Sequence, residues 1–370
     1  MKRYIKNWIV MTASMCLVLN TIRGGLANAV TQPMPDEVVS SVTPRIVGYW
    51  ECWNISNLRL KDISPKYNVI NVAFGVPRDS SHEMIIHGLG AADSAMLKSD
   101  ILALQSQGKK ILLSIGGATH SIQIETQTQK AIFVSSLIRL VEEYNFDGID
   151  IDIETVSLDL DADDYDFTSP TTPRIVNLIG AIQEICAYFS DQEFWLTAAP
   201  ETAYLQPYYS GVSNHGAYLP ILHALRNEFA FIHPQFYNSG SMYGGDGQVY
   251  FPGTPDFLVA LSEPLITGFY VINDRNEYRF FEGLRADQVA IGLLTTASEG
   301  SGYMESSEIN KALDYLTKGI SFGGAYILQN PSGYPDFSGI MGWSINCDKR
   351  DHDYAFVNNA DEYFFGSITP

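Results

Sequence analysis

An alternation of acidic and β-branched residues near the middle of the chain constrains the fold more than any other feature. Residues 146–154 read Phe-Asp-Gly-Ile-Asp-Ile-Asp-Ile-Glu. Because successive side chains of a β-strand point to opposite faces, Asp150, Asp152 and Glu154 share one face and the isoleucines share the other. An uninterrupted isoleucine face indicates a strand covered by helices, and strands buried on both sides belong to parallel α/β sheets.

The three carboxylates are crowded on their face of this strand. Neighbouring acids lie about 6.6 Å apart along it, which is two rises of roughly 3.3 Å. Buried acids at this spacing repel one another and must share or lose protons, so they are usually retained where chemistry needs them. The alternative is the solvated face of an edge strand, which the isoleucine face argues against. Asp147 has the wrong parity to join the three acids, and we interpret it as a structural partner.

The rest of the chain alternates short apolar runs with longer amphipathic stretches, which is the βα pattern of a parallel sheet. Eight runs are predicted as strands: 45–50, 67–74, 109–115, 148–154, 193–199, 229–237, 288–294 and 339–345. Helices are predicted at 92–107, 126–144, 175–190, 217–228, 255–265 and 306–317, and residues 239–253 read as a loop. Eight strands with helices between them predict a single α/β domain, a (β/α)8 TIM barrel, rather than an open doubly wound sheet.

The carboxyl ends of the barrel strands carry residues of a consistent type. Active sites of such barrels lie at these ends, and Glu154 closes the fourth predicted strand, where a catalytic acid is needed. The ends of the first, sixth and eighth strands place aromatic residues beside amides and acids. Aromatic rings stack on the C–H faces of sugars while sugar hydroxyls need donors and acceptors, so this clustering indicates a carbohydrate groove.

The charge balance excludes one class of partner. Forty-two Asp and Glu residues against 23 Lys and Arg residues give a formal net charge of −19 at pH 7. A surface of this sign repels nucleic acid, and a neutral substrate suits it better.

The amino terminus reads as a secretory signal. A basic start is followed by the apolar run 8–19, and Ala-Asn-Ala at 27–29 matches the small-x-small cleavage pattern. The apolar run is too short to span a bilayer, so cleavage near Ala29 is predicted, with an extracellular protein and no membrane partner afterwards. The predicted divisions are a signal peptide at 1–29, a linker at 30–43 and the barrel at 44–370.

Cysteine usage indicates neither a disulfide scaffold nor a metal site. After removal of the signal, Cys52, Cys186 and Cys347 remain, without the spacing of metal ligands. Cys52 and Cys347 follow the first and last strands, which are neighbours in a closed barrel. A disulfide between them fits an oxidising compartment, but unpaired buried thiols are the interpretation we favour. No metal or cofactor is expected.

Several strand motifs occur together and in order. Asp147, Asp150, Asp152 and Glu154 form Asp-x-x-Asp-x-Asp-x-Glu. The other matches are Ser-x-Gly-Gly at 114–117, Ala-Pro-Glu at 199–201, Gln-x-Tyr-Asn at 235–238 and Met-x-Trp at 341–343. Through these motifs the chain resembles glycoside hydrolase family 18, the chitinases and their relatives, over residues 45–350.

The resemblance implies a retaining mechanism in which the substrate supplies the nucleophile. Glu154 is expected to protonate the glycosidic oxygen while the N-acetyl carbonyl of the sugar attacks the anomeric carbon. Asp152 is expected to hold the acetamido N–H, and Tyr237 the acetyl oxygen. Asp150 is expected to share a proton with Asp152 and release it toward Glu154.

The resemblance also implies roles around these groups, with chitin or chitooligosaccharides as substrate. Trp343 is expected to form the floor under the sugar whose bond is cut, and Tyr49 to line the same subsite. Further expected substrate contacts are Gln235, Glu201 and Met341. Structural support is expected from Asp147, Ser114, Gly116 and Gly117.

Two regions depart from many secreted members of this family. About 44 residues separate Leu294 from Gly339, too few for the α+β insertion that walls the groove in those members, so an open cleft and mid-chain attack are expected. The acidic stretch 155–172 is either a solvated loop or a wall of the groove. Two other functions remain open: an endo-β-N-acetylglucosaminidase acting on N-glycan chitobiose cores, and a chitin-binding lectin, which the intact Glu154 disfavours.

Overall fold

Eight parallel strands form the centre of the fold in the computed structural model, which describes residues 42–366. These strands are β1 (Arg45–Glu51), β2 (Val69–Pro77), β3 (Lys110–Gly116), β4 (Gly148–Asp152), β5 (Trp195–Ala198), β6 (Phe229–Ile232), β7 (Ala290–Leu294) and β8 (Gly339–Trp343). Each overlaps a strand predicted from the sequence. The predicted signal peptide and nearly all of the predicted linker lie outside the described residues.

The strands follow one another around a barrel in chain order. Parallel pairing runs from β7 through β8, β1, β2, β3, β4 and β5 to β6. The remaining gap is bridged where Ile232 faces Val289 and where Gln235 faces Gly292, with backbone hydrogen bonds of 2.9 and 3.0 Å on the two sides of Gly292. We call this junction the β6–β7 seam. The predicted (β/α)8 barrel is confirmed.

Helices surround the barrel in the described part of the chain. They are α1 (Ala91–Gln105), α2 (Gln127–Tyr144), α3 (Pro173–Tyr188), α4 (Leu219–Ala224), α5 (Pro255–Thr267), α6 (Ser306–Lys318), α7 (Ile345–His352) and α8 (Ala355–Phe365). Five of the six predicted helices agree within two residues at each end. α4 ends earlier than predicted because residues 225–228 turn the chain into β6, with Glu228 N and Phe229 N both donating to Leu225 O. No helix of residues 42–366 is long and apolar enough to cross a membrane.

Three strands end at least two residues before their predicted limits. β4 stops at Asp152 because Thr155, with φ of 52°, opens a 3-10 helix over Thr155–Leu158 and carries Glu154 out of the sheet. β6 stops at Ile232 because Pro234 has no N–H to donate to the ladder. β8 stops at Trp343, since α7 begins two residues later.

Several small elements lie outside the predicted pattern. Two 3-10 turns, Cys52–Asn54 and Leu60–Asp62, replace an α-helix between β1 and β2. Met84–Ile86 pairs with the end of β2, and Met242–Tyr243 pairs with Val249–Tyr250 inside the predicted loop. A separate sheet joins Tyr208–Tyr209, Phe269–Asn273 and Tyr278–Phe281. The connection from β7 to β8 carries only α6 and the 3-10 turn Ala297–Glu299, so it holds no inserted domain.

One buried carboxylate organises the end of this β7–β8 connection. Glu263 of α5 is fully buried and accepts hydrogen bonds from the hydroxyls of Tyr326 (2.8 Å) and Tyr334 (2.7 Å). It also accepts backbone hydrogen bonds from Gln329 (2.8 Å) and Asn330 (3.2 Å). A segment without regular structure is thereby tied to a helix, and its backbone donors are satisfied.

The core has two layers separated by the sheet. The isoleucines of β4 are fully buried in the outer layer, which also contains Leu137 of α2 and Ile182 of α3. The barrel interior is filled by a second cluster that includes Val47, Leu112 and Met341. β4 is therefore buried on both faces, as its sequence pattern predicts, and its acids point into the barrel.

The three cysteines of the described chain are free thiols. The Cys52 thiol donates to the His87 carbonyl at 3.0 Å, and the Cys347 thiol lies 3.5 Å from the Glu51 carboxylate. Burial raises the pKa of each, and that of Cys186, to about 12. The Cys52–Cys347 disulfide is therefore absent, and the interpretation as unpaired thiols is confirmed.

Candidate active site

The three acids of the central run occupy different depths of the barrel. Asp150 is fully buried, Asp152 is 4% exposed, and Glu154 is half-buried just beyond the end of β4. Their spacing along the strand produces this gradient, since each second residue lies about 6.6 Å nearer the mouth. Glu154 is the member that a substrate in the barrel mouth can reach.

Asp150 is held by hydrogen-bond donors from four strands. Its Oδ2 accepts from the hydroxyls of Tyr49 (2.6 Å) and Ser114 (2.7 Å). Its Oδ1 accepts from the Thr197 hydroxyl (2.6 Å) and lies 3.2 Å from Nε2 of His233. Burial alone would raise the pKa of Asp150, but the imidazole and the hydroxyl donors outweigh it and hold the pKa below its usual value. The ionised form of Asp150 is therefore favoured.

Asp152 and Glu154 form a hydrogen-bonded carboxyl pair. The Gln235 amide donates to both, at 2.9 Å to Asp152 and 3.0 Å to Glu154. Burial, followed by the charges of Glu154 and Asp150, raises the pKa of Asp152 well above its usual value. Burial also raises the pKa of Glu154, although hydrogen bonds from Gln235 and Asp152 oppose the rise. Burial and mutual repulsion thus favour a proton on this pair.

The contacts of Asp152 bear on the proton path expected from the sequence. We expected Asp150 to share a proton with Asp152 and to release it toward Glu154, and that exchange stays a prediction. In the structure, donors from the surrounding strands occupy both oxygens of Asp150, and Asp152 lies in hydrogen-bond contact with Glu154. A proton on Asp152 therefore lies next to Glu154.

Two further polar groups face the carboxyl pair. Glu201 accepts a hydrogen bond from Thr155 N (3.2 Å), and burial together with the Glu154 charge raises its pKa. Tyr237 is 7% exposed, and burial followed by the charges of Asp152 and Glu154 raises its pKa well above the usual value. The Tyr237 phenol therefore keeps its hydrogen and can donate it to a bound ligand.

These groups line a cleft of about 730 Å³ at the mouth of the barrel. Its other wall is aromatic: the Phe74 ring stacks on Trp343 (centroids 5.8 Å apart, 14° between planes) and on Trp53 (6.1 Å, 25°). The peptide bonds Ala73–Phe74 and Trp343–Ser344 are cis. A row of aromatic rings opposite carboxyl and amide groups is the surface that a sugar chain requires.

Two of the expected substrate contacts do not line this cleft. Tyr49 is 1% exposed; its ring packs under Trp343 (5.5 Å between centroids) and its hydroxyl binds Asp150. Met341 is fully buried in the barrel interior, because it lies on the same face of β8 as Trp343 but one strand repeat deeper. Trp343, Gln235 and Glu201 do line the cleft. Tyr49 and Met341 thus act beneath the ligand.

The four supporting residues have specific contacts. Asp147 accepts from Ile111 N (2.7 Å) and from Gln105 (2.9 Å), linking β4 to β3 and α1. Ser114 donates directly to Asp150, a role beyond close packing. Gly116 has φ of +106°, and a Cβ there would lie 2.3 Å from the Asp152 carbonyl oxygen. Gly117 likewise leaves room for the Phe74 ring.

The acidic stretch 155–172 does not form a wall of the cleft, since the lining residues of the described chain lie outside it. Asp164 is buried and accepts hydrogen bonds from Thr171 N and Thr172 N, both at 2.9 Å. Asp159 accepts from the Asn214 amide at 2.7 Å. Both acids therefore serve local structure.

Sequence analysis missed several residues of the site. Phe74 was recognisable as the last residue of the second predicted strand, at the catalytic end of the barrel. His87 and His120, with ring centroids 4.7 Å apart, line the cleft from loops and had no signal. Thr197 and His233 could have been found from the alternation of side chains along their strands. Thr197 occupies an inward position on β5, next to β4, and His233 occupies one just after the end of β6.

A second cavity of about 410 Å³ lies beside the cleft and shares Thr202 with it. Its walls are mainly apolar, with Leu205, Phe236 and Leu265 among them, and they include no carboxylate or histidine. Acid–base chemistry therefore belongs to the larger cleft.

Comparisons with known proteins identify the family of this chain. Residues 45–256 match the family described as Glycosyl hydrolases family 18. The chain is 46% identical to "Chitinase Chi52" of Paenibacillus xylanexedens over 86% of this chain and 60% of that protein. It is 45% identical to "Chitinase D" of Niallia circulans over 85% of this chain and 59% of that protein. The chain thus spans about three fifths of the length of these relatives.

A solved structure agrees as well. The crystal structure of a family GH18 chitinase from Chromobacterium violaceum superposes with a TM-score of 0.75 at 33% identity, covering 88% of this chain and 84% of that one. With the family match spanning more than half of the chain, and with Asp152 and Glu154 of the signature lining the cleft, this chain belongs to family 18 of the glycosyl hydrolases.

Proposed function

We propose that this chain is a chitinase, hydrolysing β-1,4 bonds between N-acetylglucosamine units. The observation that carries the proposal is Glu154, a carboxyl group with a raised pKa at the mouth of a cleft with an aromatic wall. A raised pKa favours the protonated form of a carboxylic acid, which is the form that a general acid requires. The relatives named chitinase support the choice of substrate.

The position of Asp152 supports a nucleophile supplied by the substrate. Retaining glycosidases with two catalytic carboxylates hold them about 5–5.5 Å apart on opposite sides of the bond, and inverting ones hold them farther apart. Asp152 and Glu154 are in hydrogen-bond contact, so they lie on the same side of any bound sugar. The 2-acetamido group of the substrate is then the proposed nucleophile.

In the proposed reaction Glu154 donates its proton to the glycosidic oxygen as the bond from that oxygen to the anomeric carbon breaks. The acetamido oxygen forms a bond to the same carbon, which gives an oxazolinium ion. Asp152 accepts the acetamido N–H, and Tyr237 donates to the acetamido oxygen. Glu154, now a carboxylate, takes a proton from water as the water attacks the anomeric carbon and the bond from the acetamido oxygen to that carbon breaks, so the acetamido group re-forms and the configuration is retained.

We propose that attack occurs within chitin chains rather than at their ends. The short β7–β8 connection supports this, since it adds no domain that would close the cleft at one end. The viscosity of a polymeric chitin solution is therefore expected to fall steeply for each new reducing end that is released. A product series made of disaccharide from the start, with viscosity maintained, would refute the mid-chain proposal.

We also propose that the predicted signal over residues 1–29 directs secretion. After expression in a host with an active secretory pathway, the protein should be found in the culture medium, and its amino terminus should lie near residue 30. Protein retained inside the cells with residue 1 intact would contradict this.

The test of the chitinase proposal is cleavage of the N-acetylglucosamine pentamer, with the anomers of the first products read by NMR. The β-anomer should appear first, and a de-N-acetylated pentamer should not be cut. Glu154→Gln should lower kcat at least 10³-fold while the pentamer still binds, roughly the range for loss of a general acid. Glu184→Gln, on the surface of α3, is the matched control. Cleavage of a high-mannose glycopeptide in preference to the pentamer would favour the endo-β-N-acetylglucosaminidase instead.

A further inference from the structure

A buried imidazole lies beneath the catalytic carboxylates, and no step above uses it. His233 follows β6 and is fully buried. Its backbone N–H donates to the Ala198 carbonyl at 2.8 Å, which fixes its position next to β5. Its ring lies edge-on to Tyr49, with centroids 5.9 Å apart, and 5.6 Å from Phe231. Such a setting selects one ring orientation.

The hydrogen on the His233 ring follows from its neighbours. Nε2 lies 3.2 Å from Asp150 Oδ1, whereas Nδ1 has no hydrogen-bond partner. The contact fits an Nε2 that carries a hydrogen and donates it to the carboxylate, which only accepts. Nε2 also lies 3.4 Å from the side-chain amide of Asn71, whose buried Oδ1 has no hydrogen-bond partner, so an amide turned to place Oδ1 toward Nε2 suits the same hydrogen.

This donor completes the coordination of Asp150. A carboxylate has about four acceptor sites, and the hydroxyls of Tyr49, Ser114 and Thr197 together with Nε2 of His233 supply four donors. A proton on Asp150 would displace one of these donors in a buried layer, where an unpaired polar group is costly. The protonated form of Asp150 is thereby disfavoured.

We propose that His233 is a positioning residue that keeps Asp150 ionised and so confines the shared proton to Asp152 and Glu154. His233 does not line the cleft, so it acts through Asp150 and not on the substrate. A fixed negative charge beneath Asp152 disfavours a second charge there, and the proton stays with the upper pair. The inference rests on the proposed function, because it assigns a role in the same reaction.

The pKa shifts of the carboxyl groups agree with this geometry. After burial, which raises the pKa of Asp150, the proximity and the hydrogen bond of His233 are the largest opposing causes. The Asp150 charge in turn raises the pKa of Asp152. The ionisable groups that face this layer from the surrounding elements are Tyr49, Asp150, Asp152, Glu154, Glu201, Tyr218 and Tyr237.

Two substitutions at position 233 separate this role from simple packing. His233→Phe keeps a ring but loses the donor, whereas His233→Gln keeps an amide donor near the place of Nε2. Loss of the donor destabilises ionised Asp150, so its pKa rises and the acidic limb of kcat/KM against pH moves up, by about one pH unit for a lost charge-assisted bond. Because Asp150 then competes for the shared proton, kcat should fall about tenfold. KM for the pentamer should stay the same.

His233→Gln should keep the acidic limb of the native enzyme. His223→Gln on α4, whose ring packs on Phe167 away from the cleft, is the control and should be indistinguishable from native. A folded His233→Phe variant with an unmoved acidic limb would overturn the inference, as would equal losses of kcat in both variants without any shift. If His233→Phe does not fold, a shifted limb in His233→Gln overturns it and an unshifted limb supports it.

A measurement on the native protein is independent of activity. Nitrogen NMR of histidine-labelled protein should find a hydrogen on Nε2 of His233 across the active pH range, and a bare Nε2 would overturn the inference. Native enzyme that fails to cut the pentamer would refute the proposed function instead, and the nitrogen spectrum would still test where the hydrogen lies.

Discussion

The Gln235 amide is the donor whose removal should move the chemistry most measurably. In Gln235→Leu the side chain keeps its approximate volume but no longer donates to Asp152 and Glu154, at 2.9 and 3.0 Å. These bonds stabilise the charged form of the pair, so their loss makes release of the shared proton harder. The basic limb of kcat/KM should therefore move to higher pH.

The size of this shift follows from hydrogen-bond energies. A bond to a charged group contributes about 1.5–3 kcal/mol, against about 0.5–1.5 kcal/mol for a neutral one. When the pair loses its proton one carboxyl group changes charge, so the difference lost with the amide is about 1–1.5 kcal/mol. One pKa unit corresponds to about 1.4 kcal/mol, which gives a shift of about one pH unit.

The assay is the pH dependence of pentamer cleavage at low substrate concentration, where kcat/KM reports the free enzyme. The position of the limb does not depend on the amount of active enzyme, so partial loss of protein does not obscure it. Gln192→Leu, on the exposed loop before β5, is the control. A basic limb that stays in place or moves to lower pH in Gln235→Leu would refute the reasoning about the carboxyl pair.

Three further predictions concern the aromatic wall, the close packing and the buried acid of α5. Trp343→Ala should raise KM for the pentamer about three- to tenfold with little change in melting temperature, the effect of about 0.5–1.5 kcal/mol of lost stacking; an unchanged KM would place the substrate elsewhere. Gly116→Ala should lower the free energy of unfolding by about 2 kcal/mol or more in urea titrations, because its φ is +106° and its Cβ would meet the Asp152 carbonyl; a loss below 0.5 kcal/mol would contradict the close approach. Glu263→Ala should cost about 3–5 kcal/mol and speed amide exchange at Gln329 and Asn330, whereas an unchanged exchange rate would show that another group holds this segment.

The strand count and the carboxylates were predictable because they depend on local periodicity. Alternating side chains identify β4 and its two buried faces from nine residues, and barrel topology then places Glu154 at the mouth. The partners of Asp150 were not predictable in this way. Tyr49, Thr197 and His233 lie 101, 47 and 83 positions away in the chain, and only the register of the closed barrel brings them to one carboxylate.

The carboxyl-terminal helices show a second limit of local pattern. α8 begins after Tyr354, whose φ is +68°, and that residue offers no side-chain cap. The first turn is instead capped by Asp348 of α7, whose carboxylate accepts from Phe356 N (3.0 Å) and Val357 N (3.2 Å). Because the cap comes from the preceding helix, the usual start signal is missing at the boundary itself.

The β6–β7 seam gives Gln235 two structural duties. Its backbone faces Gly292 where the barrel closes, and its side chain clamps the carboxyl pair. One residue thus takes part both in closing the barrel and in setting the pKa of the acid. A chain divided in the loop 239–253 should therefore yield two pieces that are inactive when separate. The pKa of Glu154 should reach its native value only when the two pieces reassociate. That pKa would then report whether the barrel has closed.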